Sequence, residues 1–266
     1  MLSELMAGSF VIAATALAYV RWQRTHLYRT LGARIEELRG EPPRFPMAHA
    51  WAAPVPDFAD RVLWLNQFLP VDIFAKLAGD LQQLVAERSF IPTHKKGGTV
   101  AYETLVARTP AIVSLYHDAA FQEFVSSVVG QPIVPTPIQD QSSLSLLIYD
   151  RPGDHIGWHF DHNFYLGRHF TVLLSLVNEG CSAGSLSHAT LMAKAHGEDL
   201  VVRTPPNTLV VFEGARVLHK VTPILAGEKR VILSMTYCTD PRASLLQGIV
   251  RRVKDIAFFG IRSLWT

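Results

Sequence analysis

Hydrophobic positions fall along this chain in three successive patterns. The first is a block: Leu5 to Val20 reads LMAGSFVIAATALAYV, without a charge. The second is helical. Residues 71–88 carry Phe74, Leu77, Leu81, Leu84 and Val85 at spacings of three and four, and residues 110–129 make another helical stretch or pair, ending at Gly130. The third begins beyond Ser142, where short apolar runs at 143–149, 170–177, 186–192, 208–212, 216–221 and 230–238 are separated by Gly, Pro and Asn. Runs of that length and punctuation predict an antiparallel sandwich or barrel, with the leading helices packed on one face. Val62–Leu65 is a further short strand candidate. The expected class is α+β, a β-rich core with packing helices, preceded by an N-terminal hydrophobic helix.

The same pattern divides the chain. Residues 1–22 form the hydrophobic segment. Residues 23–57 combine a basic helix with a linker broken by Pro42, Pro43, Pro46, Pro54 and Pro56. A folded domain is expected over 58–240, and a terminal amphipathic helix over 241–266. In that helix Leu246, Ile249, Val250, Val253, Ile256 and Ala257 make an apolar stripe beside Arg251, Arg252, Lys254 and Arg262.

The N-terminal block is short for a membrane span, which needs roughly 20 apolar residues. Arg21, Arg24, Arg29 and Arg34 follow it and only Glu4 precedes it, so an anchor here would leave the rest of the chain in the cytoplasm. Ala16-Leu17-Ala18 fits a signal-peptide cleavage pattern, but no positive n-region precedes it. The expectation is membrane association through residues 5–20, with residues 243–262 as a second contact on an anionic surface. The alternatives are a buried helix in a soluble cytoplasmic protein and a terminal helix that docks on its own domain. The composition is globular, 48% hydrophobic and 18% charged, and a formal net charge of +2 argues against nucleic acid as a partner. Cys181 and Cys238 lack CxxC spacing, which removes zinc-ribbon and thioredoxin-type sites, and they read as two ordinary thiols rather than a disulfide.

Candidate chemistry starts at Gly157-Trp158-His159-Phe160-Asp161-His162-Asn163. In a chain with 11 histidines an H-x-D is close to chance, and its placement is what gives it weight. It follows a strand-like run and the Pro152-Gly153 turn, at the lip of β-structure, where residues i and i+2 project to one side. His219, 58 positions after Asp161 in Arg216-Val217-Leu218-His219-Lys220-Val221, is the expected third ligand. Two imidazoles and one carboxylate on one face of an octahedral ion leave three positions open, the arrangement of oxygen-activating iron(II) enzymes. A bidentate keto acid could fill two of them and dioxygen the third. Such a co-substrate needs a cation for its distal carboxylate. Arg230 opens the last apolar strand eleven residues after His219, and Arg230, Ile232, Ser234 and Thr236 share one face of it, so a guanidinium and a hydroxyl point inward together.

The run TLVVFEGARVLHKVTPILAGEKRVILSMTY resembles the second half of the prolyl-4-hydroxylase-like family of Fe(II)/2-oxoglutarate-dependent dioxygenases. The matching features are an apolar strand ending in Phe, then His, then Pro-x-x-x-Gly, then Arg and a final strand. VLWLNQFLPVDIFAKL is similar to that family's first strand and helix, and the likeness spans about residues 60–240. The resemblance implies a double-stranded β-helix (jelly roll) holding Fe(II) on His159, Asp161 and His219. It also implies 2-oxoglutarate against Arg230, O2 as oxidant and ascorbate as a candidate reductant. Two departures matter. Lys is usual in prolyl hydroxylases where Arg230 stands, and the family tyrosine three residues before the first His is Ile156 here. Tyr149 and Thr171 are the candidates to replace its contact with 2-oxoglutarate. Halogenating relatives carry a small residue where Asp161 stands, so a carboxylate there implies hydroxylation, with desaturation or ring closure open to the same oxidant. The substrate class stays open among small molecules, peptidyl side chains and lipids, as does the oligomeric state. A metal-binding jelly roll without turnover and a zinc hydrolase on the same ligands are the alternatives, and neither needs Arg230. Of the remaining residues, His155, His162, His169 and His188 are competing ligands by proximity. Asn163 and Tyr165 are candidates to face substrate, Trp158 reads as packing, and Lys95-Lys96-Gly97-Gly98 reads as a mobile loop or a solvated turn.

Overall fold

A computed structural model describes residues 2–41, 45, 57–79, 81–84, 89–90, 95–195 and 197–259, with the backbone alone for residues 2–13, 82–83, 89–90, 95 and 258. Most of the expected proline-rich linker lies outside the described residues. Helix α1 (Leu2–Leu38) runs unbroken through the boundary expected at residue 22. Its last turns bury Leu31, Ile35 and Leu38 on the domain, whereas Leu17, Tyr19 and Trp22 are exposed. Residues 5–13 of the expected anchor fall where side chains are not described. Among the described residues no helix is long and apolar enough to cross a membrane.

After β1 (Val62–Leu65), the helices α2 (Val71–Gly79) and α3 (Leu81–Leu84) occupy the first helical pattern. Short strands β2 (Ser89–Phe90), β3 (Lys95–Lys96) and β4 (Gly98–Val100) follow. The Lys95–Gly98 segment is therefore paired backbone and not a loop: β3 pairs with His155 and Ile156, and β4 with residues 146–148. Gly97 links the two at φ 145°, where an added Cβ would run into the Ile148 carbonyl. Next come α4 (Tyr102–Arg108), α5 (Pro110–His117) and α6 (Ala119–Val129). The stretch 110–129 is a pair of helices because Asp118 turns extended between them and caps α6, accepting from the Phe121 amide at 2.9 Å. Gly130 ends it in the left-handed conformation (φ 70°).

From here the chain alternates between two antiparallel sheets. β6 (Leu144–Tyr149), β8 (His169–Glu179), β11 (Leu209–Phe212) and β13 (Lys229–Cys238) lie in the larger one, ordered β1-β11-β8-β13-β6-β4-β2, with β5 (Val134–Pro135) against β13. β7 (His155–His159), β9 (Leu191–Ala195), β10 (Glu198–Val202) and β12 (His219–Val221) make the smaller one, ordered β10-β9-β12-β7-β3. This winding between facing sheets is consistent with the expected jelly roll.

The long strands are buried on both faces, so alternate residues serve different cores. On β13, Val231, Leu233, Met235 and Tyr237 pack with the helices, while Ile232 joins the core between the sheets. Arg230, Ser234 and Thr236 share the Ile232 face and line the central cavity, as their spacing predicts. β7 and β10 lie outside the expected strands, because neither carries a long apolar run. The runs at 186–192 and 216–221 contribute strand only at 191–195 and 219–221. In the second, the Arg216 and Val217 amides donate to the Glu213 carbonyl and make a turn. Finally α7 (Leu245–Phe259) lies against the sheet at β2, and Cys181 and Cys238 are both free thiols.

Candidate functional site

A cavity of about 320 Å³ opens between the two sheets. At its outer end stand His159, the last residue of β7, and His219, the first of β12, which face each other as cross-strand partners. Their rings lie 4.2 Å apart. Asp161, two residues beyond β7, brings Oδ1 to 3.5 Å from His159 Nε2 and 3.7 Å from His219 Nε2. One nitrogen or oxygen of each residue falls within 4.8 Å of the others, and among the described residues this is the group of His, Cys, Asp and Glu that could hold a metal ion.

Neighbouring groups hold each of the three. His159 Nδ1 and His219 Nδ1 each lie 2.9 Å from a backbone carbonyl, those of Gly157 and Val217. A carbonyl only accepts, so Nδ1 is the protonated nitrogen and Nε2 presents a lone pair to the centre. The Thr171 hydroxyl donates to Asp161 Oδ2 at 2.5 Å, and the Asp161 amide donates to the Gly214 carbonyl at 3.0 Å. Phe212 meets the His219 ring edge-on at 4.6 Å. Burial alone would raise the Asp161 pKa, but His219, the hydrogen bond from His159, His169 and Thr171 together hold it well below the carboxylate range. Burial lowers the pKa of His219, which keeps its imidazole neutral.

Gly214 has no room for a side chain: a Cβ there would overlap Asp161 Oδ2 and Thr171 Oγ1. The adjacent Glu213 is buried and meets three arginines: Arg168 at 2.8 Å, Arg216 at 3.2 Å and Arg61 at 3.5 Å. This carboxylate ties the β11–β12 turn to β8 and to the start of β1. Gly214, Glu213 and Phe212 were not candidates from the chain, although FEG directly before a predicted ligand strand marks a sharp turn there.

At the other end of the cavity lies Arg230, 1% exposed and opposite Tyr149 on β6 and Asn178 on β8. Its Nη2 donates to Thr204 Oγ1 at 3.2 Å and its guanidinium sits 5.5 Å from the Tyr149 ring centre. Arg230 Nε and the Tyr149 hydroxyl are buried without a partner, and no carboxylate pairs with Arg230 among the described residues. Burial lowers the Arg230 pKa and pushes that of Tyr149 up to about 12. Ser234 and the apolar Ile156 also line the cavity.

The other histidines divide. His155 bonds to the Gly153 carbonyl and His188 pairs with Glu228, whereas His162 lines the cavity, stacked on Phe164. His169 lines the cavity as a buried imidazole whose pKa is lowered by burial. Asn163 and Tyr165 do not face the cavity. Asn163 closes a turn onto the Gly167 carbonyl, and Tyr165 donates to Asp140 at 2.9 Å. Trp158, expected as packing, is 38% exposed at the cavity wall, with Lys220 and Lys194 near its ring.

Residues 57–172 match a family model described as HalD, Halogenase D. In fold the chain is similar to solved structures of Fe(II)/2-oxoglutarate oxygenases. One is the non-heme alpha ketoglutarate dependent epimerase SnoN from nogalamycin biosynthesis: 14% identical, TM-score 0.54, covering 78% of this chain and 81% of that one. A second is a prolyl hydroxylase from Trichoplax adhaerens, in complex with a hypoxia inducible factor peptide: 14% identical, TM-score 0.50, covering 82% and 93%. The fold is also similar to that of AviO1 from Streptomyces viridochromogenes Tue57: 18% identical, TM-score 0.54, covering 72% and 98%. No protein of curated function matches in sequence.

Proposed function

We propose that the chain is an Fe(II)/2-oxoglutarate-dependent oxygenase, with iron held by His159, Asp161 and His219 and the distal carboxylate of 2-oxoglutarate held by Arg230. The observation that carries this is one cavity with a two-imidazole, one-carboxylate cluster at one end and a buried arginine without an anion at the other. The donor set suits a divalent iron with open positions. The orphaned Arg230 Nε and Tyr149 hydroxyl suit a carboxylate, which accepts from both. Bound there, iron and 2-oxoglutarate supply the oxidising chemistry, consuming dioxygen and releasing succinate and carbon dioxide, with ascorbate as a candidate reductant.

The protein's own part is positioning. The Gly157 and Val217 carbonyls fix both imidazole tautomers. Thr171 orients Asp161, so it serves the metal end, and Tyr149 remains as the replacement for the missing family tyrosine, with Ser234 along the wall. Leu173, Ile232 and Leu191 help line the cavity between the two ends and keep water from the co-substrate. Hydroxylation is the reaction favoured, on a peptidyl or small-molecule substrate: of the structures of like fold, one holds a peptide and one belongs to nogalamycin biosynthesis. A metal-binding module without turnover or a zinc hydrolase would have no use for a buried cation facing the metal.

Halogenation is the second reading, favoured by the family model over residues 57–172. Asp161 opposes it, since its carboxylate would hold a position on the iron that a halide would need. Product mass spectrometry in chloride buffer separates the two, and chlorinated product from the unaltered protein would favour halogenation. The oxygenase reading itself is tested by adding Fe(II) and 2-oxoglutarate without oxygen. The visible absorption band of the chelate is expected, and its absence from folded, metal-loaded protein would overturn the assignment.

A further inference from the structure

A surface helix ordinarily buries its apolar stripe and leaves its polar one in water. α7 departs from that rule. Its inward side is largely polar, with Gln247, Arg251, Lys254 and Asp255 beside Ile256 and Phe259. Lys254 Nζ donates to Asp140 Oδ1 at 2.7 Å and Ser142 Oγ at 2.9 Å, and lies 3.1 Å from Asp255. Gln247 donates to the Tyr165 carbonyl at 3.3 Å. Rolling the helix over would leave the buried Asp140 without its cation, so this seam decides which side faces out. The outward side consists of Leu245, Leu246, Ile249, Val250 and Val253, between 46% and 91% exposed.

A second apolar surface stands beside it. Arg252 on α7 is within electrostatic reach of Arg24, Tyr28 and Arg21 of α1. Just above them α1 exposes Leu17, Tyr19 and Trp22. Along these two helix stretches the exposed charge has one sign. Positions 5–35 contain no acidic residue, and the single acidic residue of α7, Asp255, is turned inward and buried. Lys254 is neutralised within the domain, while Arg21, Arg29 and Arg252 are exposed.

We propose that α7, with the exposed stretch of α1 beside it, seats the protein on an anionic lipid surface, lying in the interface rather than crossing it. Apolar side chains edged by arginines match the boundary between acyl chains and negatively charged headgroups. A second copy of the chain is a poorer occupant. A twofold contact sets the same patch on both partners, and here that would press arginines against arginines.

The test uses the full chain, with co-sedimentation on phosphatidylcholine vesicles and on the same vesicles containing phosphatidylglycerol. Capture should be about tenfold or more stronger on the anionic vesicles and should weaken as salt rises. L246E/I249E/V253E should reduce capture about tenfold or more while leaving the Fe(II)–2-oxoglutarate band unchanged, because these side chains touch neither the seam nor the cavity. R252E should abolish the preference for anionic vesicles and spare the residual binding. Equal capture on both vesicle types, or capture indifferent to the triple substitution, would overturn the proposal. So would a dimer, seen by sedimentation velocity, that the same substitutions disperse. None of these readings depends on turnover, so the lipid surface and the oxygenase assignment stand or fall separately.

Discussion

The two ends of the cavity are finished to different degrees. At the proposed metal end the three candidate ligands are held within the chain: both Nδ1 atoms meet carbonyls, Thr171 meets Asp161, and Gly214 leaves the room that pair needs, with the His169 Nδ1 beside them unmatched among the described residues. At the other end Arg230 is as deeply buried as any core leucine, yet it has one hydroxyl partner and leaves Nε unmatched beside an unmatched tyrosine. Candidate ligands held this way need only the ion. Among the described residues nothing fills the place beside Arg230 Nε and the Tyr149 hydroxyl, and on the proposed reading an anionic ligand does.

Substitutions at the two ends should therefore separate into two phenotypes. The largest effect is expected from Asp161→Ala, which removes the anionic member of the cluster. Iron affinity should fall by more than about 100-fold, with succinate formation lost, measured by titration with Fe(II) under nitrogen. Arg230→Met comes next and should act on the other ligand alone. The 2-oxoglutarate concentration for half-saturation should rise about 10- to 100-fold, as expected for a lost charge-assisted hydrogen bond of about 1.5–3 kcal/mol, with iron affinity unchanged. If both affinities fell together, the two ends would not be separate devices. Thr171→Val keeps the shape and deletes the hydroxyl, so iron should bind about tenfold more weakly while the 2-oxoglutarate requirement holds. The smallest change is expected for Tyr149→Phe. It should raise the 2-oxoglutarate requirement a few-fold, about 0.5–1.5 kcal/mol, and an unchanged requirement would remove Tyr149 from the carboxylate site.

The cluster was legible in the chain because each member has a local rule. His159 and Asp161 sit at i and i+2 past a strand, and Arg230, Ser234 and Thr236 obey the period of two on β13. What escaped was everything that depends on distant partners. Glu213 is an unremarkable acid until Arg61, Arg168 and Arg216 converge on it. Thr171 was singled out for 2-oxoglutarate, and its partner, Asp161, shows only once β8 sets the two side by side. Asn163 and Tyr165 were misjudged because proximity to H-x-D says nothing of direction, and both turn away into a loop and toward Asp140. The helix α7 shows the same limit. Its apolar periodicity was plain, but which stripe faces the domain is decided by Asp140, more than a hundred residues away.

Arg230 also bears on how stable the protein is from moment to moment. A guanidinium held away from water with one neutral partner costs the folded state several kcal/mol that a counter-anion would offset. A ligand that binds only the folded chain adds stability with concentration, about 2.7 kcal/mol at a hundredfold excess over its Kd. For a domain whose whole margin is of order 5–15 kcal/mol, that is a sizeable fraction. If the proposed site is right, the buried arginine couples the stability of the fold to the supply of the dicarboxylate, and thermal unfolding should move to higher temperature as 2-oxoglutarate is added.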